Sequence, residues 1–266
     1  MKRSLVLLLL AFLLTAAVPP VCVGAVRAGA AHTVHVVVAL CDNVHQGIVP
    51  VPPRLGNGDD PAQNLYWGAA YGVKTFMGRQ PGWKLVRVDK NPAPHVLERA
   101  VFQNKGLGVT MVADAYQGKA IKEATVDFLA YASGKNGLDV ALGENTVRAG
   151  GASNLIVYVG HNGLMDFPLE HLPPVRSAER RSPADAAIFA CQSKAFFADV
   201  LKNSGSYPLI WTRGNMAPEA YSLHALVTAW AHGEKPAAVR EAVAQAYDKY
   251  QKCGIRGARN LFATGW

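Results

Sequence analysis

Runs of consecutive apolar residues, rather than strict alternation, mark most of the strands that this sequence predicts. The segment from Thr33 to Cys41, for example, reads Thr-Val-His-Val-Val-Val-Ala-Leu-Cys and is rich in β-branched residues. Predicted strands cover residues 33–41, 83–88, 108–116, 154–160, 186–190 and 207–212. Continuous apolar strands are typical of a parallel sheet that is buried on both faces.

Helical periodicity appears between these strands. Residues 119–132 place Ile121, Ala124 and Phe128 on one face, and Gly134 ends the pattern. Further helices are predicted at 65–77 after a cap at Asn64, from about Pro94 to Gly106, and at 194–202, 218–232 and 236–252. We expect 137–151 to be a loop or a short extension.

The alternation of strands and helices predicts an α/β protein. We expect three layers, with a mostly parallel sheet of about six strands and helices on both faces. Neither an internal repeat nor a linker divides the chain, so residues 31–266 are predicted to form a single domain.

The N-terminus has the three-part layout of a secretory signal. Lys2 and Arg3 precede an apolar run over residues 5–17, and small residues follow at 23–25 and 28–30. A membrane anchor is the alternative, but the run is shorter than the roughly 20 residues that span a bilayer. We therefore expect residues 1–30 to be removed on export to the periplasm or the extracellular space, leaving no stable membrane span.

Charge and motif content exclude several classes of function. The 27 Lys and Arg against 19 Asp and Glu give a net charge of +8. The basic residues are scattered and not interleaved with aromatics, so we expect no nucleic-acid partner. The histidines are dispersed and no His-Glu-x-x-His or Cys-x-x-Cys occurs, so neither a metal nor another cofactor is expected.

Three cysteines remain after the predicted signal: Cys41, Cys191 and Cys253. An odd number in an exported protein leaves at least one thiol without an intramolecular partner. Cys41 and Cys253 could form a disulfide in an oxidising compartment, or both could be buried small apolar residues.

Two predicted strands end in reactive side chains. One reads Val-Gly-His161-Asn-Gly, and the other reads Phe-Ala-Cys191-Gln-Ser. Sites in open α/β sheets collect beyond the carboxyl ends of the strands. Either residue alone is more often structural, as a turn histidine or a core cysteine. Together on neighbouring strands, however, an imidazole and a thiol could act as base and nucleophile.

These two blocks resemble the signature segments of the caspase, legumain and gingipain superfamily of cysteine peptidases. The matching segments are residues 155–163, an apolar strand ending in His-Asn-Gly, and residues 187–193, an apolar strand ending in Ala-Cys. The resemblance implies a caspase-like fold and a peptide or protein substrate. It also implies that Cys191 attacks the carbonyl and that His161 protonates the leaving amine.

Further roles follow from the same resemblance. Backbone amides near Asn162, Gly163 and Cys191 would stabilise the oxyanion. The strand end at Trp211, Thr212 and Arg213 would contribute to substrate binding. The superfamily has glycine directly after the histidine, whereas this chain has Asn162 there.

An alternative function belongs to a different class. The chain could keep the caspase-like sheet without catalysis and act as a binding or interaction module. Its working surface would then be the loop over residues 46–67, which is rich in Pro, Gly, Asn and aromatic residues.

Overall fold

The computed structural model describes residues 32–170 and 183–266, so the predicted signal segment lies outside the described residues. The strands are β1 (His32–Ala39), β2 (Lys84–Ala93), β3 (Val96–Asn104), β4 (Val109–Tyr116), β5 (Gly137–Leu142), β6 (Asn145–Gly150), β7 (Leu155–Val159), β8 (Asp185–Phe189), β9 (Tyr207–Thr212) and β10 (Phe262–Ala263). The helices are α1 (Val73–Gly78), α2 (Ile121–Ala132), α3 (Ser193–Ser204), α4 (Ala220–Ala231), α5 (Pro236–Gln251) and α6 (Ile255–Leu261).

The main sheet has eight strands in the order β10-β9-β8-β7-β1-β4-β3-β2 within the described ranges. The five strands from β9 to β4 are mutually parallel, while β10, β3 and β2 run antiparallel to their neighbours. The predicted α/β class and mostly parallel sheet are confirmed. The sheet is wider than the six strands expected, because both its edges are extended by antiparallel pairing.

Side chains of β1 show how one strand serves two cores. Val34, Val36 and Val38 face a core that includes α1, α4 and α5. Val37 and Ala39 face the opposite core, which is built on α2 and α3. A strand buried on both faces needs apolar residues at consecutive positions, which explains the apolar run that starts at Val36 in the sequence.

The predicted helix between Pro94 and Gly106 is wrong. Residues 96–104 form β3, which pairs antiparallel with both β2 and β4. Ala93 faces Val96 across the turn, where His95 has a left-handed backbone at φ 63°. The segment contains good helix formers, but pairing on both sides of β3 overrides that local preference.

The predicted helix over 65–77 begins later, at Val73. Asn64 does not cap it: the side chain accepts from the Cys41 N–H at 3.0 Å and donates to the Cys41 carbonyl at 2.8 Å. Residues 137–150, expected as a loop or extension, form the β5–β6 hairpin. Helix α6 and strand β10, close to the C-terminus, were not predicted.

The segment over residues 42–72 is fixed across the carboxyl ends of β1 and β4. The Gln46 side chain donates to the carbonyls of Leu40 and Gly118 at 2.8 and 2.9 Å. The two hydrogen bonds of Asn64 secure the same strand end. This segment therefore forms one wall of the edge where the candidate site lies. Over the described part of the chain, no helix combines the length and apolarity needed to cross a membrane.

Candidate active site

The two strands that carry His161 and Cys191 are direct neighbours. Strands β7 and β8 pair in parallel, with Val159 opposite Phe189. Two residues beyond this pair, the chain reaches His161 on one side and Cys191 on the other. The sequence expectation that both residues emerge at one rim of the sheet is therefore met by the strand register.

Asn162 joins the two turns directly. Its side-chain amide donates to the Cys191 carbonyl at 2.7 Å, and its side-chain oxygen accepts from the Leu164 N–H at 3.1 Å. The residue is fully buried. A glycine could make neither bond, so the residue that departs from the superfamily pattern has a definite structural role here.

His161 is oriented by a carboxylate that sequence reasoning missed. Its Nε2 lies 2.8 Å from Oδ2 of Asp166, and the ring is almost buried at 7% exposure. The same oxygen accepts the Gly47 N–H at 2.9 Å, while the Tyr158 hydroxyl donates to the His161 carbonyl at 2.9 Å. With the Nε2 proton directed at Asp166, Nδ1 is the nitrogen left to exchange protons.

A tight turn brings Asp166 back to the histidine. Residues Gly163–Met165 form a single 3₁₀ turn, and the Gly163 carbonyl accepts from the N–H groups of Asp166 and Phe167. A Cβ at Gly163 would lie 2.7 Å from the Phe167 ring and 3.2 Å from Ile121. A side chain at this position would therefore displace either the Phe167 ring or the turn itself. An acid five residues after the histidine was the available sequence signal.

Cys191 sits on a sharp turn between β8 and α3. The next residue, Gln192, has a left-handed backbone at φ 50°, and helix α3 starts at Ser193. The Gln192 N–H donates to the Gly214 carbonyl at 2.9 Å. The thiol is thus held on the turn that leads directly into the N-terminus of α3.

The thiol contacts the loop after β9. The Met216 N–H donates to Sγ at 3.3 Å, and Sγ–H in turn donates to the Met216 carbonyl at 3.5 Å. Cys191 is partly exposed, whereas Cys41 is buried and Cys253 is exposed; these three thiols are all free. The disulfide considered between Cys41 and Cys253 is therefore not formed.

Cys41 contrasts chemically with Cys191. Burial raises the pKa of the Cys41 thiol to about 11, and a hydrogen bond with Tyr66 only partly offsets it. Burial also raises the pKa of Tyr66, with the Cys41 and Cys191 sulfurs contributing in the same direction. Cys41 thus stays protonated near neutral pH, and Tyr66 gives this side of Cys191 an uncharged wall.

The backbone donors of the two turns differ in burial. Across residues 32–170 and 183–266, the N–H groups of Asn162, Gly163 and Cys191 form no hydrogen bond. Asn162 and Gly163 are buried, so Cys191 is the partly exposed residue among these three candidate oxyanion donors.

The three residues expected to bind substrate differ in their exposure. Trp211 and Thr212 are fully buried, and Thr212 bonds the Ala190 carbonyl and Ser193. Arg213 is exposed and directs its guanidinium toward the carbonyls of Asn260 and Phe262, at 3.4 and 3.5 Å. These contacts stabilise the Cys191 turn and the β9–β10 edge, and the residue of the following loop that contacts the thiol is the buried Met216.

Within the described ranges, no three His, Cys, Asp or Glu side chains are grouped so that they could hold a metal ion. No protein-family model, curated protein or solved structure matches this chain. The proximity of the turns that carry His161 and Cys191 is therefore the basis for the functional proposal.

Proposed function

We propose that this protein is an exported cysteine endopeptidase that uses His161 and Cys191 to hydrolyse peptide bonds. The observation that carries the proposal is the parallel β7–β8 register, which delivers an imidazole and a thiol to one rim. The bond from Asn162 to the Cys191 carbonyl then fixes the two turns against each other at 2.7 Å. The caspase, legumain and gingipain superfamily arranges its histidine and cysteine in the same order.

The reaction begins with transfer of the Cys191 Sγ proton to Nδ1 of His161. Sulfur then forms a bond to the substrate carbonyl carbon, and the resulting oxyanion accepts a hydrogen bond from the N–H group of Cys191. The carbon–nitrogen bond breaks as His161 returns the proton to the leaving amine. This leaves an acyl group on Cys191 as a thioester.

Water completes the cycle. His161 takes one proton from the water, whose oxygen bonds to the thioester carbon. The carbon–sulfur bond then breaks, the acid product leaves, and the sulfur regains its proton from His161. Asp166 is a positioning residue in both steps, because its bond to Nε2 keeps Nδ1 available and stabilises the imidazolium.

A second candidate function is the binding module based on the loop over residues 46–67. Val49 within this loop is 87% exposed, and the neighbouring Val44 is 81% exposed. Apolar side chains presented in this way suit a protein partner. This function needs neither a free thiol at Cys191 nor the orientation of His161.

Peptidase activity tests the choice between the two. The purified protein is incubated with a mixture of unstructured peptides varied at one position, and new peptide termini are identified by mass spectrometry. We expect cleavage by the wild type and by Cys253→Ser, which removes an exposed thiol, and no cleavage by Cys191→Ser. Equal cleavage by all three proteins, or by none while the fold is intact, would reject the peptidase and favour the binding module.

A further inference from the structure

A second cavity, separate from the His161–Cys191 rim, opens between α2 and the turn that joins β2 to β3. Its volume is about 450 Å³, within the range of small-molecule sites. The cavity lies at the carboxyl end of β4, and strand β1 lies between β4 and β7 in the sheet. It belongs to none of the steps proposed for peptide hydrolysis.

Its two basic groups of permanent charge are already paired with acids. Arg99 donates to Asp114 through two nitrogens, at 2.6 and 2.7 Å. Lys122 forms an ion pair with Glu170. Neither cation is therefore left to attract an anionic ligand into the cavity.

Within the described residues, the acids that line the cavity form no ion pair with Lys or Arg, although the His95 ring lines the same cavity. Asp127 accepts a hydrogen bond from the Tyr116 hydroxyl at 2.8 Å on one oxygen, and this neutral donor supplies no compensating charge. Glu123 stands exposed at the rim, one turn of helix away from Asp127. Burial, opposed by the Tyr116 hydrogen bond, raises the pKa of the Asp127 carboxyl, and Asp114 adds to the rise. A carboxylate in this position is stabilised when a cation binds beside it.

The walls suit the body of an organic ligand. Tyr116 and Tyr131 contribute aromatic rings, and Pro94, Val96 and Leu138 contribute apolar surface. Burial raises the pKa of Tyr131 to about 12, so this phenol stays neutral near pH 7. Aromatic faces next to a carboxylate attract ammonium and guanidinium groups.

We propose that this cavity is a binding site for a small organic cation, an amine or guanidinium group attached to an aromatic or apolar body. Asp127 accepts the charged group, Glu123 attracts it at the entrance, and the tyrosines and apolar walls cover the rest. The site is independent of the proposed peptidase activity and would exist in a binding module as well.

Calorimetry with matched probes tests the proposal. Benzylamine, benzyl alcohol and benzoate share one ring and differ in charge. We expect saturable binding of benzylamine by the full protein, and binding of the alcohol and the anion that is weaker by about tenfold or more. Asp127→Asn should weaken benzylamine to the level of the alcohol, while Asp199→Asn, which changes an exposed acid on α3, should leave it unchanged.

A second variant keeps the test decisive if Asp127→Asn fails to fold. Val126 is 45% exposed and lines the cavity, so Val126→Trp should block the cavity without disturbing the core. Loss of benzylamine binding in this variant supports the site. Equal binding of all three probes, or benzylamine binding that survives both variants, would overturn the proposal.

Discussion

The side-chain amide of Asn162 donates a hydrogen bond to the backbone carbonyl of Cys191, with 2.7 Å between nitrogen and oxygen. Through this bond, the turn after β7 and the turn after β8 become one structural unit. Asn162, which departs from the superfamily pattern, therefore connects the two turns that carry the proposed catalytic residues.

Removing the side-chain amide of Asn162 should lower both stability and activity. Asn162→Ala leaves the Cys191 carbonyl without its partner and vacates a fully buried position, so we expect a loss of about 1–3 kcal/mol in the free energy of unfolding. Urea denaturation measures it, with Asn203→Ala on the exposed face of α3 as the control. A stability equal to that of the control would show that the bond contributes nothing.

The Asp166 carboxylate should matter for turnover more than for substrate binding. Asp166→Asn keeps the shape but no longer stabilises the imidazolium, so kcat should fall by about tenfold or more with little change in KM. The pH profile of kcat should also shift, and Asp166→Glu should restore part of the rate. A purely structural role would instead lower the amount of folded protein and leave the pH profile unchanged.

Gly163 and Gly257 form a matched pair for testing the turn. Gly163→Ala drives a methyl group to 2.7 Å from the Phe167 ring, so either this ring or the turn that brings Asp166 to His161 must shift. We expect lower stability and lower activity. Gly257→Ala, in α6 with open space around it, should be neutral or stabilise by up to about 1 kcal/mol. Equal effects from both substitutions would argue against the tight packing at Gly163.

Buried carboxylates predict how the fold responds to acid. Burial alone would raise the pKa of Asp114, but hydrogen bonds from Arg99 and the His35 ring 3.4 Å away lower it below its ordinary 3.8. Glu98 is likewise lowered from 4.5, against burial, by Lys74, Lys90 and Trp67. Their stabilisation is therefore fully present above pH about 4.5 and is lost as the pH falls through the lowered values.

The variant Asp114→Asn checks this sign. At pH 7 it should cost about 3–5 kcal/mol, because Arg99 is left nearly buried without its partner. Between pH 5 and pH 2 the wild type should lose stability more steeply than the variant. Parallel pH dependence in the two proteins would contradict the role assigned to Asp114.

Much of the parallel sheet could be predicted because its strands are buried on both faces. The run Val36–Leu40 and the strand ending at Val159 are buried at every position, and the sequence shows apolar or aromatic residues at each of them. Residues 96–104 could not be predicted, since Glu98 is buried there only because three donors from distant segments bond it. A local pattern does not contain that information.

The residues of the candidate site could likewise be predicted only in part. His161 and Cys191 were found because each ends an apolar strand, a feature local in sequence. Asp166 was missed because only a 3₁₀ turn brings it to the imidazole. Trp211 and Thr212 were expected to bind substrate, yet strand β9 buries both, and this depends on the neighbouring helix and sheet.

Labelling by a thiol-reactive peptide probe tests the central claim most directly. Probe adducts at Cys191 and at the exposed Cys253 are quantified by mass spectrometry, so that Cys253 serves as an internal reference in every sample. If His161 activates Cys191, we expect fast labelling of Cys191 in the wild type, much slower labelling in His161→Ala, and an unchanged rate at Cys253. Equal Cys191 labelling in both proteins would contradict the pairing of His161 with Cys191.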